Sequence, residues 1–269
     1  TAWMSEAGVD LAQSPIKPAS GWTQAPADAK EFTVLLSGGL IRRPSLILKN
    51  DAGIYDRVAL YKSKKETEPL VVLPLGEFVI EIIDDAIKND KIYRVNRNMK
   101  LLKLDPEGKN LTIYVSASMD TENDSLWHPK RLFKEVSENV GYPMPTSMIG
   151  CQDPLLITDC MLANWQATAD WQADSIHYLI EKEELDVVFS HFHNVDLEAH
   201  MFIKHLAERP FNRQSVDVVQ KWMQDLYIQT DYYLGKFLHF LDEGWTIIIF
   251  SDHAQVASKH AIPMLMDVN

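Results

Sequence analysis

The sequence predicts an α/β fold, in which a mostly parallel sheet is flanked by helices and carries a small β-rich, antiparallel insert or cap. Three observations predict it. Two apolar, β-branched runs at 186–190 and 246–250 have the composition of buried strands. A long amphipathic helix is predicted between them, over residues 215–241. Ahead of both runs, residues 31–120 alternate short strand patterns with tight turns.

The composition divides the chain of 269 residues into three parts. Residues 1–30 are rich in alanine, serine and proline, which predicts a linker or a partial segment of the core. Residues 31–125 form the β-rich insert or cap, with turn signals at Asn50–Gly53 and Asp105–Gly108. Residues 126–269 alternate helical and apolar strand patterns, as parallel sheets do, and are predicted as an incomplete α/β metal-binding core.

The helix predicted over residues 215–241 is indicated by apolar side chains at mixed spacings of three and four. Gly244 then ends the helical pattern and leads into the second apolar run. The apolar positions are Val216, Val219, Trp222, Met223, Leu226, Leu234, Phe237, Leu238 and Leu241.

Each apolar run is followed by a pair of Asp and His residues. Asp196 and His200 are four residues apart, so a helical turn would direct both side chains to one point. Asp252 and His253 come directly after the second run. Because ligands of open α/β sheets bind at the carboxyl ends of strands, the two pairs are expected to converge. Carboxylate and imidazole ligands suit zinc, and also manganese or iron.

Either pair alone has a simpler interpretation, a helix cap with a surface imidazole, because short motifs match freely. The occurrence of both pairs, each after an apolar run, favours a metal site. We therefore expect two divalent metal ions, with zinc favoured over manganese or iron.

The order of these motifs resembles the alkaline phosphatase superfamily and, within it, the type I phosphodiesterase/nucleotide pyrophosphatase family. The motifs are Asp-x-x-x-His, a helix with Asp-x-x-x-Gly-x-x-Leu starting at Asp231, and an apolar run ending in Ser-Asp-His. In that family the first pair binds one metal ion and the second pair binds the other. By resemblance, Asp196 and His200 take the first role, and Asp252 and His253 take the second.

The resemblance covers residues 150–255 and implies a hydrolase that acts on a small phosphorylated substrate. The family's Thr or Ser nucleophile and a further His ligand have no assured counterpart, so we expect a fragment with weak or no activity. Thr146, next to Ser147, is the candidate nucleophile, with an N-cap or turn residue as the alternative.

Three further residues are candidates for substrate binding. His193 follows the first apolar run, where a hydrogen-bonded structural histidine is the alternative. Lys259 and His260 follow Asp252 and His253 closely enough to reach a bound phosphate, where an exposed loop is the alternative. In the β-rich insert, Arg42, Arg43 and the lysine-rich run 62–65 could meet a polyanionic substrate or form a solvated face.

Composition limits the partners and the compartment. A net charge of −12 argues against a nucleic-acid polymer. Two cysteines without a CxxC pattern imply neither a disulfide scaffold nor a zinc ribbon. No apolar run is long enough for a membrane segment, so a soluble, cytoplasmic protein is favoured, with export left open. The oligomeric state cannot be read from the sequence.

Other functions fit the same residues. A phosphomutase or sulfatase relative would use the same metal ligands. A non-catalytic alternative is a β-rich binding module attached to a vestigial metal site.

Overall fold

The computed structural model describes residues 1–8, 10–145, 148, 151, 153–207 and 216–255. The chain divides into two compact units, Thr1–Ser190 and His191–Asn269.

Two β-sheets account for most of the first unit. One sheet has the strand order β11-β9-β10-β1-β2, with β8 also paired to β9, and the other has the order β3-β4-β5-β6-β7. The strands are β1 (Ala2–Glu6), β2 (Asp10–Ser14), β3 (Lys17–Pro18), β4 (Lys30–Leu36), β5 (Ile41–Lys49), β6 (Tyr55–Leu60), β7 (Val71–Pro74), β8 (Phe78–Lys88), β9 (Lys91–Leu104), β10 (Leu111–Val115) and β11 (Met119–Asp120).

The pairing of these strands overturns the predicted fold class. Among the described strands, β1 and β10 run parallel, and the other paired neighbours run antiparallel. The prediction of a mostly parallel, helix-flanked sheet is therefore wrong. Most of these strands are joined by short connections, which suit antiparallel neighbours, whereas parallel neighbours need long crossovers.

The two apolar runs that suggested a parallel sheet are not strands. Residues 186–190 and 245–250 lie outside the described helices and strands. Their side chains are largely exposed: Phe189 is 80% exposed and Ile248 is 77% exposed. Apolar composition makes a strand only where a neighbouring backbone satisfies its N–H and C=O groups.

The core of the first unit contains buried side chains from both sheets. Val34, Ile47 and Leu73 come from one sheet, and Met99 and Ile113 come from the other. Facing sheets of this kind bury alternate residues of each strand. The segment 1–30, for which a linker or a partial core segment was expected, contributes β1 and β2 to one sheet and β3 to the other.

The turn signals in this unit form turns. The Gly53 N–H donates to the Asn50 carbonyl, and the Gly108 N–H donates to the Asp105 carbonyl, both at 2.9 Å. Gly108 has φ +61°, and a Cβ there would lie 2.9 Å from the Tyr55 ring. Glycine is therefore required at position 108 both for its backbone conformation and for the close approach of the ring.

The helices of the first unit are α1 (Arg131–Asn139), the short α2 (Pro154–Leu156) and α3 (Leu162–Glu183), with a π-helical turn at Ile157–Met161 before α3. Asn164 of α3 is fully buried, and its Nδ2 donates to the Tyr114 hydroxyl on β10 at 2.7 Å. In the π-helical turn, the Asp159 carbonyl accepts from Lys100 Nζ on β9 at 3.1 Å. Both bonds attach this helical segment to the sheet that contains β9 and β10.

The second unit is built on two helices, α4 (Asn194–Ala207) and α5 (Val216–Gly235), followed by a 3-10 turn at Leu238–Leu241. Phe202 of α4 and Trp222 of α5 are buried, with ring centroids 5.3 Å apart. The long helix predicted over 215–241 is thus observed as α5 and a separate 3-10 turn. Among the described helices, none is long and apolar enough to cross a membrane.

Candidate metal centre

The first turns of α4 place a carboxylate between two imidazoles. Asp196 lies in the first turn, and His200 lies one turn further along. The Nε2 atom of His200 is 3.6 Å from Asp196 Oδ1. His193, directly before the helix, has its Nε2 atom 3.0 Å from Asp196 Oδ2. The helical spacing of the three residues explains why all of them meet on one side of α4.

The second Asp–His pair reaches the same carboxylate from a distant part of the sequence. His253 Nε2 lies 3.5 Å from Asp196 Oδ1. Asp252 is 66% exposed at its side chain, and its Oδ1 is 3.9 Å from His253 Nε2. Three of the four predicted ligands, Asp196, His200 and His253, therefore lie together. The fourth, Asp252, lies beside His253.

Gln255 joins the two segments and was not predicted. Its Nε2 atom donates to Asp196 Oδ1 at 2.7 Å and to the Asp196 carbonyl at 2.9 Å. No pattern in the sequence distinguishes this glutamine from a surface amide. Only its position two residues after His253 places it near a predicted ligand.

Asn194 fixes the start of α4 on α5 and was also missed. The side chain is fully buried. Its Nδ2 donates to the Leu226 carbonyl at 3.1 Å, and its Oδ1 accepts from the Thr230 hydroxyl at 3.0 Å. Asparagine is a common residue at helix starts, and this preference was the available signal. Because a buried amide is held by two partners of α5, the helix turn that carries Asp196 is held in place as well.

The Asp196 carboxylate is stabilised in its ionised form. Burial raises its pKa, but the hydrogen bond from Gln255 and the charges that His200, His193 and His253 can carry lower it, and the net shift is downward. At neutral pH the group is therefore an anion that can accept hydrogen bonds or ligate a cation.

The donor types suit a divalent ion, but their arrangement among the described residues is not that of a formed metal site. Nitrogen and oxygen ligands about 2.0–2.1 Å from a tetrahedral zinc ion lie about 3.3 Å from each other. The nitrogen-to-oxygen separations of 3.0, 3.5 and 3.6 Å around Asp196 are close to that value. However, across the described ranges no group of three or more His, Cys, Asp or Glu side chains is placed to hold one ion. As they stand, the imidazoles face the carboxylate rather than a common point.

Four other candidates fall where the structure gives no description. Thr146, Ser147, Lys259 and His260 lie outside the described residues. Their predicted roles, nucleophile for Thr146 and phosphate binding for Lys259 and His260, therefore stay predictions.

Two of the basic residues of the insert, Arg43 and Lys64, are engaged in ion pairs. Arg43 is buried, with Nη2 2.5 Å from Asp84 Oδ1 and 3.0 Å from Asp85 Oδ2. Lys64 Nζ lies 2.7 Å from Glu31 Oε2. These two cations neutralise carboxylates of their own unit, so they are poorly suited to bind a polyanion.

Comparison of the chain with protein-family models, with curated proteins and with solved structures found no match. The resemblance to the type I phosphodiesterase family thus depends on the motifs around Asp196, Asp231 and Asp252, and it stays a prediction.

Proposed function

We propose that the second unit carries part of a two-metal centre of a phosphoryl hydrolase that acts on a small phosphorylated substrate. Asp196 and His200 would hold one divalent ion, and Asp252 and His253 would hold the other, with zinc favoured. The supporting observation is the separation of 3.5 Å between His253 Nε2 and Asp196 Oδ1. Two segments that are far apart in the sequence therefore bring carboxylate and imidazole side chains together. Two short motifs that matched only by chance would have no reason to lie next to each other.

The residues have complementary chemical roles in such a centre. Asp196 would supply carboxylate oxygen, and the histidines would supply imidazole nitrogens. Asp252, whose side chain is 66% exposed, would supply a second carboxylate beside His253. A pair of divalent ions, when bound, supplies Lewis acidity to phosphoryl oxygens and lowers the pKa of a bound hydroxyl or water. Thr146 is retained as the proposed nucleophile.

Metal binding is the first test of this proposal. Titration of the chain with Zn²⁺ and Mn²⁺ by calorimetry should show two bound ions per chain. Asp196→Asn and His253→Ala should each weaken binding by at least about 100-fold, because even residues outside the ligand shell change metal affinity by about 10–100-fold. His239→Ala is the matched control, since this exposed histidine belongs to the 3-10 turn after α5 and is not a proposed ligand. Unchanged affinity in Asp196→Asn would contradict the proposal.

Substrate preference separates the proposed function from its alternatives. A panel of chromogenic phosphodiester, phosphomonoester and sulfate ester should show preference for the phosphodiester, with slow turnover that Asp252→Ala abolishes. Preference for the sulfate ester would favour the sulfatase alternative. Absence of metal binding would favour a β-rich binding module. A cytoplasmic setting is also part of the proposal, and it agrees with Cys151 and Cys160 being buried thiols.

A further inference from the structure

We infer that the segment 245–251 pairs with the same segment of a second copy of the chain, as antiparallel strands centred on Ile248. Within the described part of the chain, the N–H and C=O groups of residues 246–249 form no hydrogen bond with another backbone group. A run of unpaired backbone groups is a template for strand addition by another chain. This inference is independent of the proposed metal centre.

The segment is attached to its own unit at both ends. At its start, the Trp245 N–H donates to the Phe240 carbonyl at 3.0 Å, and the ring centroids of the two residues are 5.7 Å apart. Shortly after its end, Gln255 Nε2 donates to Asp196 Oδ1 at 2.7 Å. Because the segment is already held at these two points, it loses less freedom on pairing than a loose loop would lose.

The side chains of the segment form a self-complementary apolar face. Trp245 and Ile247 are partly covered, whereas Thr246 is exposed and Ile248 is 77% exposed. Phe250, which lies on the same face as Ile248 in a strand, is 66% exposed. In an antiparallel pair centred on Ile248, this residue meets its own copy, and Phe250 meets Thr246 of the second copy. Aromatic and β-branched side chains stabilise a sheet when they lie opposite each other in this way.

The charges around the segment favour this arrangement. Residues 244–251 contain no charged side chain, but Glu243 precedes them and Asp252 follows them. Parallel pairing in register would place each of these carboxylates opposite its own copy, which is unfavourable. In the antiparallel register, Glu243 is opposite His253 and Asp252 is opposite Gly244, so neither carboxylate faces another. The segment is therefore complementary to itself in charge as well as in side-chain type, which identifies a second copy as the partner.

The association is weak, because two strands without a larger sheet are only marginally stable in water. We expect a monomer at about 1 μM and a dimer above about 100 μM, in the range of small, transient interfaces. Amide hydrogen exchange over residues 246–250 should therefore be fast at the lower concentration and slower at the higher one.

Sedimentation velocity between about 1 and 300 μM, with EDTA present to exclude bridging by metal ions, is the first test. The parent should form a dimer. Ile248→Lys places two cations opposite each other and should raise the dissociation constant at least about 10-fold. Ile92→Lys, at an isoleucine of β9 that is 74% exposed, is the matched control and should leave the association unchanged.

Three results would overturn the inference. A parent that stays monomeric throughout would leave the apolar face to a different protein. Association of Ile248→Lys equal to that of the parent would assign the contact to another surface. Species larger than a dimer would show open-ended stacking in place of a closed pair.

Cysteine cross-linking tests the register and does not depend on the folding of the lysine variant. With diamide, which takes up the two electrons and two protons of the paired thiols, Ile248→Cys should form a disulfide-linked dimer at least about 10 times faster than Ile247→Cys or Ile249→Cys. Only position 248 faces its own copy, whereas each neighbouring position lies about 8 Å from its own copy, beyond the reach of a disulfide. The parent, in which Cys151 and Cys160 are buried, gives the background rate. Equal rates at the three positions would overturn the antiparallel pairing.

Discussion

Two apolar runs of this chain, 46–48 in β5 and 246–250 after α5, have opposite surroundings. Ile47, in β5, is fully buried and is paired with Lys30 of β4 and Val58 of β6. Ile249, in the run that follows α5, is 68% exposed and lies outside the described strands. The contrast shows that β-branched composition is not sufficient for a strand. Partner strands on both sides are what satisfy the backbone and cover the side chain.

Two carboxylates of the chain also differ in the groups that surround them. Glu31 of the first unit is 3% exposed, and it accepts from Trp22 Nε1 at 2.6 Å and from Lys64 Nζ at 2.7 Å. Asp196 of the second unit is 23% exposed at its side chain and lies among imidazoles and one amide. A lysine ammonium has no lone pair for a metal ion, whereas a neutral imidazole has one. The Glu31 cluster therefore stabilises the fold, and the Asp196 cluster is chemically able to bind a metal ion.

The largest expected effect tests the buried run. Ile47→Ala should lower the free energy of unfolding of the first unit by about 2–5 kcal/mol, because it removes buried methyl groups and leaves a cavity between the sheets. Urea unfolding gives the free energy. Amide hydrogen exchange, followed by mass spectrometry, assigns the loss to β5 and its neighbours. A loss below about 1 kcal/mol would show that this part of the core is not packed as described.

The β-rich part of the fold was well predicted because its signals are local. Short strands were expected within residues 31–120, and β7 and β9 are two of the strands observed there. The turn at Asn50–Gly53 is also confirmed. In each case a run of residues and a glycine in the left-handed region carry the information within a few positions. The prediction of the fold class was wrong because it treated the run 246–250 as a strand of a sheet. Composition alone does not show that a neighbouring strand is present to pair with it.

Part of the candidate site could also be predicted from the sequence. The contact of Asp196 with His200 follows from helical spacing, which is local. The approach of His253 was expected from the paired motifs, although the sheet that was to bring it there is not observed. Gln255 and Asn194 were missed, because an amide has no motif until its partner in space is known. Both residues act through distant partners, Asp196 and Leu226 respectively.

The second-largest expected effect concerns the ion pairs and the hydrogen bond of Glu31 with Lys17, Lys64 and Trp22. Glu31→Gln should destabilise the first unit by about 2 kcal/mol at pH 7, because it leaves cations and an indole N–H facing a neutral amide. The cost is set below that of a fully buried pair, since the partners Lys17 and Lys64 are 62% and 36% exposed. Urea unfolding measures the loss. Glu77→Gln, at an exposed position of the same unit, is the control and should change stability by less than about 0.5 kcal/mol.

The pH dependence of this loss identifies its cause. Burial raises the pKa of Glu31, but hydrogen bonds from Lys64, Trp22, the Ser20 N–H and Lys17 outweigh it and lower the pKa from 4.5 to about 2. A depressed carboxyl pKa stabilises the fold above the unfolded value, and that stability is lost as the pH falls through the folded value. The difference between the parent and Glu31→Gln should therefore be full above pH 4.5 and shrink towards pH 2. A difference independent of pH would assign the effect to packing instead.

The smallest expected effect tests the exposed run and completes the comparison with Ile47. Ile249→Ala makes the same chemical change as Ile47→Ala, but at a side chain that is 68% exposed. Because little apolar surface is uncovered and no cavity forms, the free energy of unfolding should change by less than about 0.5 kcal/mol. Hydrogen exchange across 246–250 should be fast in the parent and unchanged in the variant. A loss close to that of Ile47→Ala, with slow exchange over these residues, would mean that the run is a covered strand. The comparison between the two runs would then fail.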